Sequence, residues 1–196
     1  MSITNPDADA CDRADMERLC AGDDTALDDL MARHASPIFH FLCRMLSNED
    51  DASDLAQETF VRVFKARDGY RPGGRFSTWL YTIAANLARN HFRWRMRHPN
   101  VSLEAETGET EQTLGSSLPA NSPAPNEAAL AAESAGAVRR ALSELPEDLR
   151  EAIILCEWEE RSVAEAAVIL AVTPKTVESR LYRARQILRV RLKSWL

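Results

Sequence analysis

Two groups of residues have types and spacings suited to nucleic-acid chemistry. Lys175, Ser179, Tyr182 and Gln186 fall at i, i+4, i+7 and i+11, with Arg180 and Arg183 beside them. On an α-helix that spacing puts the four on one side. Lys and Arg neutralise phosphates, while Ser, Gln and Arg can bond base edges in the major groove. Asn86, Asn90, Arg93 and Arg97 repeat the same spacing. Their amides can bond base edges and their guanidiniums can hold phosphate. Phe76, Trp79, Tyr81, Phe92 and Trp94 interleave with basic residues there. Cations beside aromatics suit a single strand, whose unstacked bases need a π-face. The bland alternatives are a solvated basic helix for the first group and core packing for the aromatics of the second. Core is the better reading of Phe76 and of one Trp. The loop 67–75, with its Gly-Gly pair, can open a pocket for an extruded base, although such a pair is usually only a turn.

Helices must carry these groups. The 77–97 segment has a core stripe of Leu80, Ile83 and Leu87, with Ser77 as the expected cap. Two earlier helices are expected over 26–46 and 51–65, with Ser36-Pro37 as a restart within the first. Further on, 137–145 is a short helix and 147–159 a second. Ser162-Val-Ala-Glu165 is a capping box. Thr173-Pro174 is a cap followed by an N1 proline, opening a helix with Val177, Leu181, Ala184 and Leu188 inward. Two helices, 162–171 and 174–191, joined by a short turn form a helix-turn-helix pattern, and that geometry lifts the basic helix above the bland reading.

The charge distribution supports two cationic surfaces. The net charge of −6 argues against a polyanionic partner only if charge is spread evenly. It is not. Residues 69–100 hold six basic groups and no acid, and residues 161–196 hold eight basic and two acidic groups. Residues 101–136 hold six acids and no base, and the first 35 residues hold nine acids and three bases. Local patches govern a screened polyanion more than the total does.

The Pro, Ser, Thr, Ala and Glu-rich stretch lacks aromatics and cannot bury enough apolar surface to offset its ordering entropy. The expected plan is all-α. It has a disordered N-terminus over 1–12, a helical domain over 13–98, a flexible acidic linker over 99–136 turning helical near Asn126, and a helix-turn-helix domain over 137–196. No apolar run is long enough for a membrane span, and the acidic N-terminus has no signal-peptide pattern. The cytoplasm is the expected location, and the scattered cysteines suit free thiols. His34, His40 and Cys43 lack a fourth ligand, and no nucleophile triad or phosphate-binding loop occurs, so neither metal, cofactor nor enzymatic chemistry is expected.

Three stretches resemble the extracytoplasmic-function (ECF) group of bacterial sigma-70 factors. Residues Asp51-Ala-Ser-Asp-Leu-Ala-Gln-Glu-Thr-Phe-Val-Arg-Val-Phe64 are similar to the helix that binds core polymerase. Residues Phe76-Ser-Thr-Trp-Leu-Tyr-Thr-Ile-Ala-Ala-Asn-Leu-Ala-Arg-Asn90 are similar to the helix that melts and reads the −10 element. Leu145-Pro-Glu-Asp-Leu-Arg150 and Thr176-Val-Glu-Ser-Arg-Leu-Tyr-Arg-Ala-Arg185 are similar to the −35-reading domain.

The resemblance implies that Asp54, Gln57, Glu58, Val61 and Arg62 dock on the clamp helices of the largest polymerase subunit, with a further contact to the polymerase flap. It implies that Arg71, Arg75, Trp79, Asn86, Asn90, Arg93 and Arg97 hold the −10 strand. It implies that Lys175, Thr176, Ser179, Arg180, Tyr182 and Arg183 contact the −35 duplex. An anti-sigma partner is implied too, which if membrane-bound would hold the protein at the inner membrane. The acidic linker would run through the cationic nucleic-acid path of the polymerase and mimic RNA there. Three positions depart from the family pattern: Ala171 stands in place of Gly, Glu178 in place of Lys or Arg, and Ala166 in place of a bulkier aliphatic. The rivals are a free-standing helix-turn-helix repressor and a metal sensor built on His34, His40 and Cys43.

Overall fold

A computed structural model of the chain describes residues 6–71, 73–98 and 125–193. Residues 1–5 and the expected linker residues 99–124 lie outside the described residues. Every described element is helical: α1 (Pro6–Cys20), α2 (Thr25–Leu46), α3 (Glu49–Lys65), a 3₁₀ turn (Arg67–Gly69), α4 (Phe76–Arg97), α5 (Pro125–Ser143), α6 (Glu147–Ile153), a π-turn (Ile154–Trp158), α7 (Val163–Leu170) and α8 (Pro174–Arg191). Two small bundles result, α1–α4 and α5–α8.

The first bundle closes on Met16, Leu30, Phe41, Phe60, Leu80 and Tyr81, all buried. Fully burying a side chain of this size stabilises by about 1.5–3 kcal/mol. Along α3, Thr59, Phe60 and Val63 are buried, while Leu55 is half-buried. The second bundle closes on Leu149, Ile153, Ile169, Leu170, Val177 and Leu181. On α8, Val177, Leu181 and Ala184 point inward and Leu188 is half-buried, which is the expected stripe.

Local chemistry sets several boundaries. The Asn48 side chain accepts from the Asp51 amide at 2.9 Å and starts α3. The Ser162–Glu165 capping box forms in both directions and starts α7. The Thr173 hydroxyl accepts from the Thr176 amide at 3.2 Å, with Pro174 at N1 of α8. Pro37 does not restart the segment, since α2 runs through it unbroken. Residues 33 and 37 are both exposed, so water can take the Arg33 carbonyl that Pro37 cannot serve.

Four further expectations change. Residues 6–12 are helical, not disordered, because Asp12 is 2% exposed and paired with Arg33 (2.9 Å) and His34 (2.8 Å) of α2. Ser77 does not cap α4. The helix starts at Phe76 with Arg75 at the cap position, and the buried Ser77 hydroxyl accepts from Arg161 at 2.9 Å. Helix α5 starts at Pro125, close to the Asn126 at which the chain is expected to turn helical, but it runs on to Ser143, so the short helix expected from 137 is the second half of a longer one. The helix expected over 147–159 changes winding at Ile154, and the widened turn ends at Trp158.

Polar contacts tie the bundles together. Arg150 of α6 is the densest of them: Nη1 donates to the Met45 carbonyl (2.8 Å) and Nη2 to the carbonyls of Ser143 (2.5 Å) and Leu145 (2.9 Å). The Tyr81 hydroxyl donates to Glu159 Oε2 at 2.5 Å, and Arg44 Nη1 lies 3.1 Å from Glu159 Oε1. Burial, helped by the Glu159 carboxylate, raises the Tyr81 hydroxyl far above its ordinary pKa. Arg161 stacks on the Tyr81 ring, 4.5 Å from its centroid.

Ala171 takes the left-handed conformation (φ 54°, ψ 44°) that ends α7. An L-residue with a Cβ pays there for a geometry that Gly adopts freely. Ala171→Gly is expected to raise stability by about 1 kcal/mol, read by denaturant titration. Arg150→Ala, which leaves two buried carbonyls and a partly buried one without their donor, is expected to cost about 3 kcal/mol in the same measurement.

Candidate nucleic-acid interface

Helix α4 divides its surface three ways. Leu80, Tyr81, Ala84, Leu87 and Ala88 face the core. Ser77 and Arg89 face the second bundle. Asn86, Asn90, Arg93 and Arg97 are exposed along the remaining side, which is the arrangement their spacing predicts. Arg97 Nε donates to the Arg93 carbonyl at 3.1 Å, which steadies the last turn.

The loop before α4 holds the other residues of this group. Arg71 is exposed. Trp79 is half-buried against Tyr70, with ring centroids 5.2 Å apart, and against Phe76 at 6.1 Å. Arg75 is engaged on both sides: Nε lies 2.9 Å from Asp9 of α1 and Nη1 lies 2.8 Å from Glu165 of α7. Of the five interleaved aromatics, Phe76 and Tyr81 are core, and Trp94 is the most exposed at 43%. Tyr81 is therefore removed from the single-strand reading, because its hydroxyl is committed to Glu159.

Helix α8 presents Lys175, Ser179, Tyr182, Arg183 and Gln186 to solvent, with Tyr182 66% exposed. Two residues of the expected set are partly engaged. The Thr176 hydroxyl shares a 2.9 Å hydrogen bond with Thr173 inside the cap, and Arg180 Nε lies 3.4 Å from Asp148 of α6. Glu178 is exposed on the same helix and introduces a negative charge among these cations.

A third surface lies on α3. Asp54, Gln57, Val61 and Arg62 are exposed, and Glu58 is half-buried. Glu58 accepts from Arg62 at 2.9 Å, which holds its carboxyl below the ordinary range.

The residues considered for a metal do not converge. His34 Nε2 is taken by Asp12. Burial pushes the Cys43 thiol up to about 11, so it stays protonated at neutral pH. Among the described residues, no group of three His, Cys, Asp or Glu side chains could hold a metal ion.

The chain matches the family model described as Sigma-70 region 2 over residues 30–98 and the one described as Sigma-70, region 4 over residues 135–188. It is 34% identical to the ECF RNA polymerase sigma factor SigW of Bacillus subtilis over 88% of this chain and 91% of SigW. The chain belongs to the ECF sigma factors.

Region 2 spans α2 to α4, region 4 spans most of α5 to α8, and α1 precedes both matches. This family consists of transcription initiation factors. Solved structures share the fold. CnrH, in complex with the cytosolic domain of CnrY, superposes with a TM-score of 0.68 at 27% identity, covering 94% of this chain and 98% of that one. The Bartonella quintana factor RpoE, bound to the anti-sigma factor NepR, gives 0.59 at 27% identity, covering 85% and 96%.

The residues that periodicity could not reveal lie where regions 2 and 4 meet. Arg89 Nε is 3.0 Å from Glu151 Oε1, yet that oxygen accepts no aligned hydrogen bond. Glu151 is 3% exposed. Burial pushes its carboxyl up to about 7, against the pull of Arg89. The folded protein thus keeps a proton that the unfolded chain has released above its ordinary carboxylate value. Where one state binds more protons, raising the pH disfavours it, so this group lowers stability as pH rises toward 7. Glu151→Gln removes that contribution. The stability difference, variant minus wild type, is expected to grow by about 1–3 kcal/mol between pH 5 and 7.5, measured by urea unfolding at each pH.

Proposed function

We propose that this ECF sigma factor makes core RNA polymerase promoter-specific by contacting the −10 strand through α4 and the −35 duplex through α8. The observation that carries the reading is the exposure of two amide- and cation-bearing helix faces in one chain, one in region 2 and one in region 4. Asn86 and Asn90 read bases of the opened −10 strand, while Arg93 and Arg97 hold its phosphates. Arg71, Arg75 and Trp79 border the same strand, and Arg75 joins once its two carboxylates let go. On α8, Ser179, Tyr182 and Arg183 reach base edges in the major groove, flanked by Lys175, Thr176 and Arg180.

Helix α3 serves the polymerase. Asp54, Gln57, Glu58 and Arg62 surround the exposed Val61, and an apolar centre within a polar rim suits a protein contact with the clamp helices of the largest subunit. Region 4 additionally meets the flap. The solved complex of RpoE with the anti-sigma factor NepR supports an anti-sigma partner for this chain as well. No described helix is long and apolar enough to cross a membrane. The protein works in the cytoplasm, and a membrane-bound anti-sigma partner would tether it at the inner membrane.

The test mixes the purified protein with core polymerase and genomic DNA and maps transcript starts. New starts that share two upstream elements are expected, and failure to form holoenzyme overturns the reading. Arg183→Ala is expected to weaken −35 binding by about 1–3 kcal/mol and to relax preference at one base position. A loss equal for every sequence would reassign Arg183 to phosphate.

A further inference from the structure

One side chain beside the reading face of α8 has the wrong charge for a phosphate. Glu178 is the fifth residue of the helix and is exposed. Lys175 precedes it by three residues and Tyr182 follows it by four, and both are exposed too. On an α-helix those offsets amount to about 60° and about 40° around the axis, with about 5–6 Å of rise. Glu178 therefore borders the stripe of Lys175, Ser179, Tyr182 and Gln186. It stands in the N-terminal turns, the part of a recognition helix that contacts base edges. Its neighbour Val177 is fully buried, which anchors that turn in the bundle.

An acid in this place has no donor within the fold. Two cations of the same helix are held by other carboxylates: Arg180 Nε lies 3.4 Å from Asp148, and Arg185 Nη2 lies 2.5 Å from Glu157. Among the described residues, no ion pair or hydrogen bond engages the Glu178 carboxylate. The DNA backbone does not supply the donor either, since phosphate oxygens only accept and repel a carboxylate. The floor of the major groove does. Guanine shows two acceptors there, N7 and O6, and thymine shows the O4 acceptor and a methyl group. Adenine shows the N6 amine beside the N7 acceptor, while cytosine shows the N4 amine with no acceptor of its own. An ionised carboxylate accepts and never donates. Cytosine is thus the one base that meets it without an opposing lone pair.

We propose that Glu178 selects a cytosine in the −35 element by accepting a hydrogen bond from its N4 amine. This rests on the reading of α8 as the −35 helix and adds a specificity-determining residue to it. The surrounding cations supply affinity through the phosphates. The carboxylate supplies discrimination, because any base that fails to donate leaves a desolvated charge without a partner.

The test uses holoenzyme reconstituted with wild type, Glu178→Gln or Glu178→Lys, at a promoter taken from the mapped starts. Each base pair of the upstream element is replaced in turn by the other three, and binding is measured by competition at one salt concentration. Wild type is expected to favour cytosine about tenfold at one position. Glu178→Gln should move the preference at that position to adenine, whose N6 and N7 a carboxamide pairs, and Glu178→Lys should move it to guanine. Preferences elsewhere in the element should stay within about twofold. Three outcomes overturn the proposal: no position at which wild type favours cytosine, the same preference in all three proteins, or a gain in affinity equal for every sequence, as relief of phosphate repulsion gives. If wild-type holoenzyme is indifferent to every replacement in the upstream element, the assignment of α8 to the −35 duplex fails first.

Discussion

The guanidinium of Arg150 is the joint on which the arrangement of the two bundles depends. It stands on α6 and reaches the last turn of α2 through the Met45 carbonyl and the end of α5 through the Ser143 and Leu145 carbonyls. Those are ends at which backbone carbonyls have no partner within the helix and carry the negative pole of the dipole. A single buried cation thus serves two helix C-termini from different halves of the chain. Burial alone would drive that charge out, and it lowers the pKa of Arg150. The carbonyls make the buried position tenable. The Phe92 ring, 5.5 Å from the guanidinium carbon, adds a further contact from α4.

Around that joint the seam is built largely from charged pairs. Glu151, Glu159 and Glu165 of the second bundle meet Arg89, Arg44 and Arg75 of the first. The charge tally of the sequence takes on a finer meaning as a result. Two of the six arginines in the basic 69–100 stretch are turned toward carboxylates of region 4, and others remain on the open side of α4. The π-turn over 154–158 contributes to this layout. It adds a residue to the helical path just before Glu159, and Glu159 takes both Tyr81 and Arg44. The same turn leaves Glu157 on the opposite side, paired with Arg185 of α8 at 2.5 Å.

Much of this was legible in the sequence because it is local. Caps act over three residues, so Ser162 with Glu165 and Thr173 with Thr176 could be read directly. Helical periodicity likewise places Asn86, Asn90, Ser179 and Arg183 on open faces. The remainder depends on partners far along the chain. Ser77 has the composition of a cap, but Arg161 claims its hydroxyl from 84 residues away. Residues 6–12 look like acidic tail until Arg33 and His34 are seen to hold Asp12. Tyr81 reads as one aromatic among five, and only Glu159 fixes it in the core. The left-handed Ala171 is intermediate: the position within the motif marks a turn, but alanine hides the sign of φ that glycine would have announced.

Arg75 binds three distant parts of the chain into one equilibrium. Asp9 and Glu165 occupy its Nε and Nη1, one from the helix that opens the described chain and one from the first helix of the helix-turn-helix. A phosphate that takes those donors must displace the carboxylates, so the two kinds of contact are antagonistic. Linkage makes such antagonism mutual and equal in free energy. To whatever extent nucleic acid at this loop loosens α7, displacing α7 strengthens the loop's hold on nucleic acid. Occupancy at one end of the molecule and posture at the other are then two readings of a single thermodynamic variable.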